Sequence, residues 1–133
     1  MISRLDLKRV AKGRLKDAEI LLSHHRYDGA VYLCGYAVEI ALKARICRTL
    51  NWPDFPSSYD EFRNLKSLKT HNLDVLLHLS GREQAIKNTA GIFKAWNDVA
   101  EWDPEFRYRP IGSAKQAEAK VMVASTKVLL RQL

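Results

Sequence analysis

From Ala30 to Leu42 apolar positions follow one another with Glu39 as the only charge. A solvent-facing helix carries polar residues along a whole side. This run does not, so a buried helix is predicted over Tyr27–Asn51. Small residues (Ala30, Gly35, Ala37, Ala41, Ala44) alternate with large ones (Tyr32, Leu33, Tyr36, Ile40, Leu42), which lets other helices approach closely on most sides. Glu39, Lys43 and Arg45 argue against a membrane span. The stretch reads as the centre of a helical bundle.

The flanking patterns supply its neighbours. Ser3-Arg4-Leu5-Asp6 resembles a capping box, and Leu7, Ala11, Leu15, Ala18 and Leu22 form one stripe, so a first helix is expected to run to about His25. Lys8, Arg9, Lys12, Arg14 and Lys16 give it a basic outer face. The short Tyr27-Asp28-Gly29 turn makes the first two helices an antiparallel pair. Trp52-Pro53 and Pro56 break the chain, and Ser57–Leu65 reads as a short helix capped by Ser57 or Ser58. Thr70 or Asn72 is expected to cap a helix over Leu73–Leu79, closed by Gly81. A further helix is predicted from Arg82 to Trp102, with Ile86, Ala90, Phe93, Ala95 or Trp96, Val99 and Ala100 inward. Gly91 weakens its middle by about 1 kcal/mol relative to alanine. Glu105–Ile111 reads as extended, with Arg107 and Arg109 on one side and Tyr108 on the other. Ser113-x-x-Gln116 fits a capping box opening the last helix, whose Ala114, Ala117, Val121, Ala124 and Val128 form a stripe suited to close packing, in the same chain or in a twin. No repeat or second domain is visible, so residues 1–133 read as one all-α domain.

Composition narrows the surroundings. Two cysteines, Cys34 and Cys47, lie thirteen positions apart on the same predicted helix, roughly 20 Å at 1.5 Å per residue. They cannot bridge within one chain, and reduced cysteines suggest the cytoplasm. The first residues lack the apolar core of a signal peptide. The net charge of +7 favours anionic partners such as RNA, nucleotides or an acidic protein surface.

The search for chemistry gives little. No glycine-rich phosphate loop, H-E-x-x-H, paired CxxC or G-x-S-x-G is present, so neither a cofactor nor a metal site has sequence support. His24 and His25 point to different sides of a helix end and make a poor chelate. Three features remain. Glu39 and Lys43 form an i,i+4 pair in an apolar helix, a structural ion pair or a ligand contact. His71 stands at a helix start, as a donor and acceptor for a ligand or as a cap or packing residue. Arg107-Tyr108-Arg109 suits phosphate contact and base stacking, or is a surface loop pinned to Glu101 or Asp103.

Together these pieces resemble the HEPN domain family over nearly the whole chain. The residues that carry the likeness are Arg14–Glu19, Arg26–Glu39 running into Ala41–Ala44, Lys69–Leu73, and Trp102–Glu105 with Arg107-Tyr108. The resemblance implies an up-and-down bundle of four to five helices that commonly dimerises, prokaryotic origin, and often a minimal nucleotidyltransferase as partner in toxin–antitoxin or related defence systems. Many members are ribonucleases that carry an arginine, four to six residues, then a histidine. This chain departs from that pattern: Arg63 is the nearest arginine before His71, with seven residues between them. The likeness is therefore to the non-catalytic branch, which binds nucleotides, RNA or a nucleotidyltransferase. Lys43, His71, Arg107, Tyr108 and Arg109 are the expected ligand contacts. The alternative is a degenerate, metal-independent ribonuclease in which His71 acts with Arg63 or Arg107.

Overall fold

The computed structural model describes residues 1–133. Helix α1 runs Arg4–Ser23 and α2 runs Tyr27–Thr49, followed by α3 (Leu73–Ser80), α4 (Glu83–Lys87), α5 (Ala90–Ala100) and α6 (Gln116–Gln132). Helix α2 packs against α1, α3 and α6, while α5 lies on α6. Twelve of its residues are buried, Glu39 among them. Tyr36 and Ile40 are half-buried, and the rest of Gly35–Leu42 is closed off from solvent. The small residues do what their size allows: Ala30 and Ala44 share one core with Ala11 and Ala18 of α1, and Ala37 is equally closed off from solvent. No helix is long and apolar enough to cross a membrane. Cys34 and Cys47 are both free and buried, and burial pushes the Cys34 thiol up to about 11.

Helix starts follow local chemistry. The Ser3 hydroxyl accepts the Asp6 N–H at 3.0 Å, and Asn72, not Thr70, caps α3 through Val75 N–H at 3.2 Å. Gly81 ends α3 with φ +73°, a conformation that favours glycine. His24 closes α1, its ring Nδ1 2.9 Å from the Ile20 carbonyl.

Several expectations change. The long helix after Gly81 is two helices, separated at Asn88-Thr89, with Gly91 inside the first turn of the second. The Thr89 hydroxyl donates to the Ala85 carbonyl at 3.3 Å, competing for the acceptor that a continuous helix would give to the Thr89 N–H. Ile86 of α4 and Ala95, Trp96 and Val99 of α5 are buried as expected, while Ala90 and Phe93 face outward. Ser57–Leu65 makes only turns. Ser58 receives the Glu61 N–H, but the chain then swings back to bury Leu68. Glu105–Ile111 is not extended: Pro104–Tyr108 is a 3-10 turn, started by Asp103 accepting the Glu105 N–H at 2.7 Å. The stripe of α6 is only partly the expected one: Ala114 is buried and Val128 half-buried, but the middle of the stripe turns outward. Ala119, Met122, Val123, Thr126 and Leu129 are buried, whereas Ala117, Val121 and Ala124 face solvent. A two-residue ribbon, β1 (Ile2–Ser3) against β2 (Asp54–Phe55), is an addition that pins the loop after α2 to the start of α1.

The segment before α6 is held from outside. Ser113 does not cap the helix, which has no side-chain cap. The Asp28 carboxylate accepts Gly112 N–H at 2.7 Å and Ala114 N–H at 2.8 Å. These two bonds lower the Asp28 pKa from its ordinary value. Asp28→Ala is expected to cost roughly 2 kcal/mol, about one for each lost bond. A group with a depressed folded pKa stabilises above its unfolded pKa and loses that contribution as pH falls through the folded value. Denaturation of wild type and Asp28→Ala should therefore differ at neutral pH and converge well below pH 3.8.

Candidate functional site

The buried carboxylate of Glu39 organises the cluster that includes two of the expected contacts. Its side chain is 3% exposed and accepts from Lys43 Nζ at 2.7 Å. The His71 Nδ1 lies 2.9 and 3.0 Å from its two oxygens, reaching across from the loop before α3. Helix periodicity places Lys43 one turn above Glu39, and the Asn72 cap fixes the loop that carries His71. Burial explains the double partnering, because a lone carboxylate in an apolar helix is costly. Lys43 also lies 5.7 Å from the centre of the Phe55 ring, so its ammonium is occupied on two sides. The His71 ring remains 58% exposed. With Nδ1–H donated to Glu39, its Nε2 is the acceptor left for other groups.

One turn earlier on α2 lies an aromatic group. Trp102 meets Tyr36 at 4.9 Å and Tyr32 at 6.4 Å between ring centres, and it lies flat against Gly35. Its indole nitrogen is buried without a partner. Burial, and next the Tyr36 O–H donating toward Tyr32, push the Tyr36 hydroxyl up to about 12, and Tyr36 also senses both Glu39 and Arg107.

The three loop residues do not act as a unit. Arg107 lies 4.7 Å over the Tyr108 ring and donates to the Pro104 carbonyl at 3.2 Å. Its nearest carboxylate is Glu105, at 3.9 Å. Arg109 turns the other way, stacking on Phe106 at 3.9 Å and pairing with Glu118 at 3.4 Å. Neither Glu101 nor Asp103 holds them. Tyr108 is 71% exposed. A cleft of about 390 Å³ beside Arg109 is lined by Trp102, Phe106 and Met122. Arg63, the alternative partner for His71, pairs with Asp60 at 3.0 Å on an exposed turn. No three His, Cys, Asp or Glu side chains converge as metal ligands.

A HEPN domain model matches residues 5–132 of the chain. The chain belongs to the HEPN domain family. The all-α bundle agrees with that membership. No curated protein and no solved structure matched this HEPN chain. The Glu39–Lys43 pair stands as its i,i+4 spacing predicts, and His71 is the partner that the sequence does not connect to it. An apolar helix with one acid signals a need for partners, yet it cannot say which distant loop supplies them. Asp28 and the Gly35–Trp102 contact carried no pattern that pointed to their roles.

Proposed function

We propose that this protein is a non-catalytic, homodimeric HEPN module that binds a nucleotide or RNA, or docks on a minimal nucleotidyltransferase in a prokaryotic toxin–antitoxin or defence setting. The observation that carries the reading is the lock on His71. Its Nδ1 and the Lys43 ammonium are both taken by the Glu39 carboxylate, and no arginine is paired with it for charge stabilisation. A histidine without a positioned cationic helper lacks the two main contributions to metal-independent RNA cleavage. The basic balance and the exposed Arg107 and Tyr108 suit an anionic ligand. The outward Ala117–Val121–Ala124 face of α6 is the surface through which two copies would meet.

One observation favours the ribonuclease alternative. A histidine oriented by a buried carboxylate, with its second nitrogen facing solvent, is the arrangement used by general bases. In that reading Arg107 is the helper.

Titration of the purified chain with nucleotides and short RNAs at several salt concentrations tests the binding. Saturable binding that weakens as salt rises is expected. Flat signals for every ligand would remove the nucleic-acid version and leave the protein partner. Sedimentation should give twice the monomer mass, and a monomer at high concentration would contradict the dimer.

A further inference from the structure

A second basic feature lies at the other end of α2. Where the first half of α1, the last turns of α2 and the end of α6 meet, they enclose a cavity of about 270 Å³. Lys8 and Lys12 come from α1, Arg45 and Arg48 from α2, and Arg131 from α6. No aspartate or glutamate side chain lines it, although Leu133, the last residue, does, and none of these five cations belongs to an ion pair. Elsewhere in the chain lysines and arginines are commonly paired. Here the Nε of Arg45 is buried without any hydrogen-bond partner. Burial, followed by the charges of Arg48 and Arg82, lowers the Arg45 pKa from its ordinary value.

Helix ends account for only part of this gathering. Arg48 and Arg131 lie in last turns, where the negative end of a helix attracts cations. Lys8 and Lys12 stand in the first half of α1, so nothing in their own helix calls for cations there; they face the last turns of α2 and α6 across the cavity. Folding thus drives five like charges together around one concavity and leaves one guanidinium nitrogen unsatisfied. Such an arrangement is relieved by a multivalent anion.

The shape selects among anions. An extended RNA strand is held along a groove with aromatic rings to stack its bases. The apolar part of its lining is Ala11, Ala41, Leu130 and Leu133, and no aromatic residue lines it. Its volume lies just below the usual range for pockets that enclose a whole small ligand. Arginine forks and lysine point charges match phosphate oxygens. We propose that this cavity binds the oligophosphate chain of a nucleoside di- or triphosphate and leaves the base outside. The inference rests on the nucleotide-binding reading above and moves the ligand away from the Glu39–His71 cluster.

The test is calorimetric titration of the full chain with ATP, GTP, tripolyphosphate, adenosine and single-stranded RNA. The proteins are wild type, Lys12→Gln, Arg45→Gln and Arg107→Gln, each checked by circular dichroism. ATP, GTP and tripolyphosphate should bind alike, adenosine should not bind, and Lys12→Gln should weaken binding at least tenfold. Arg45→Gln should do the same. Lys12 is a surface residue, so its variant stays informative if Arg45→Gln fails to fold. Nucleotide binding that Lys12→Gln leaves intact and Arg107→Gln weakens would overturn this site while sparing the nucleotide-binding reading. Binding of RNA that tripolyphosphate cannot displace would also overturn it, as would adenosine binding as tightly as ATP. No binding of any phosphate compound would sink both.

Discussion

Gly35→Ala is expected to destabilise the protein by about 3 kcal/mol, the upper end of what overpacking usually costs. A β-carbon on Gly35 would stand 1.9 to 2.2 Å from the Cδ2, Cε2 and Cγ atoms of Trp102. That is well inside van der Waals contact, so the indole must move. It has nowhere to go: Trp102 is 3% exposed and walled by Tyr32 and Tyr36. Any shift of Trp102 also moves Asp103, which starts the turn that places Arg107. Trp102→Ala removes the obstacle at its own cost of about 4 kcal/mol. In that background the added methyl should cost less than about 1 kcal/mol, because contacting sites are not additive. Urea denaturation of wild type, the two single variants and the double variant measures this. Additive losses would show that the indole yields easily and that the contact is not what demands glycine at position 35.

Lys43→Met is expected to cost a similar amount, about 3 kcal/mol. The Glu39 carboxylate is almost wholly buried, and removing one member of a buried ion pair leaves an under-compensated charge, typically at about 3–5 kcal/mol. His71 still holds the carboxylate, and Lys43 is 17% exposed, which sets the expectation at the low end. The double variant Glu39→Met/Lys43→Met should recover most of the loss, since apolar replacements of a buried pair are often neutral. Guanidinium denaturation separates the cases. A loss below about 1 kcal/mol for Lys43→Met would mean that His71 alone satisfies Glu39, and Lys43 would then be available to a ligand.

Periodicity made the core legible and hid the partners. The run of α2 announced a buried helix because no face of it was polar, and the capping residues Ser3 and Asn72 marked real helix starts. The Arg82–Trp102 helix was read as continuous because its apolar spacing does not register a hydroxyl turning back on its own helix at Thr89. The α6 stripe was misplaced because alanines fit either side of a helix. Ser125, which looks polar and outward, is buried on Asp98. The site divided in the same way. The Glu39–Lys43 pair follows from helix spacing alone, whereas His71 reaches it across thirty-two residues. The basic cavity was half visible as the cationic face of α1. Its other walls come from the ends of α2 and α6, and only folding brings them together.

Binding without cleavage is tested most directly by incubating end-labelled single-stranded RNA with wild type and with His71→Ala, then resolving the products on a gel. Full-length RNA at equal yield from both proteins is the predicted result. Shortening by wild type that disappears in His71→Ala would make His71 a catalytic base and contradict the non-catalytic reading.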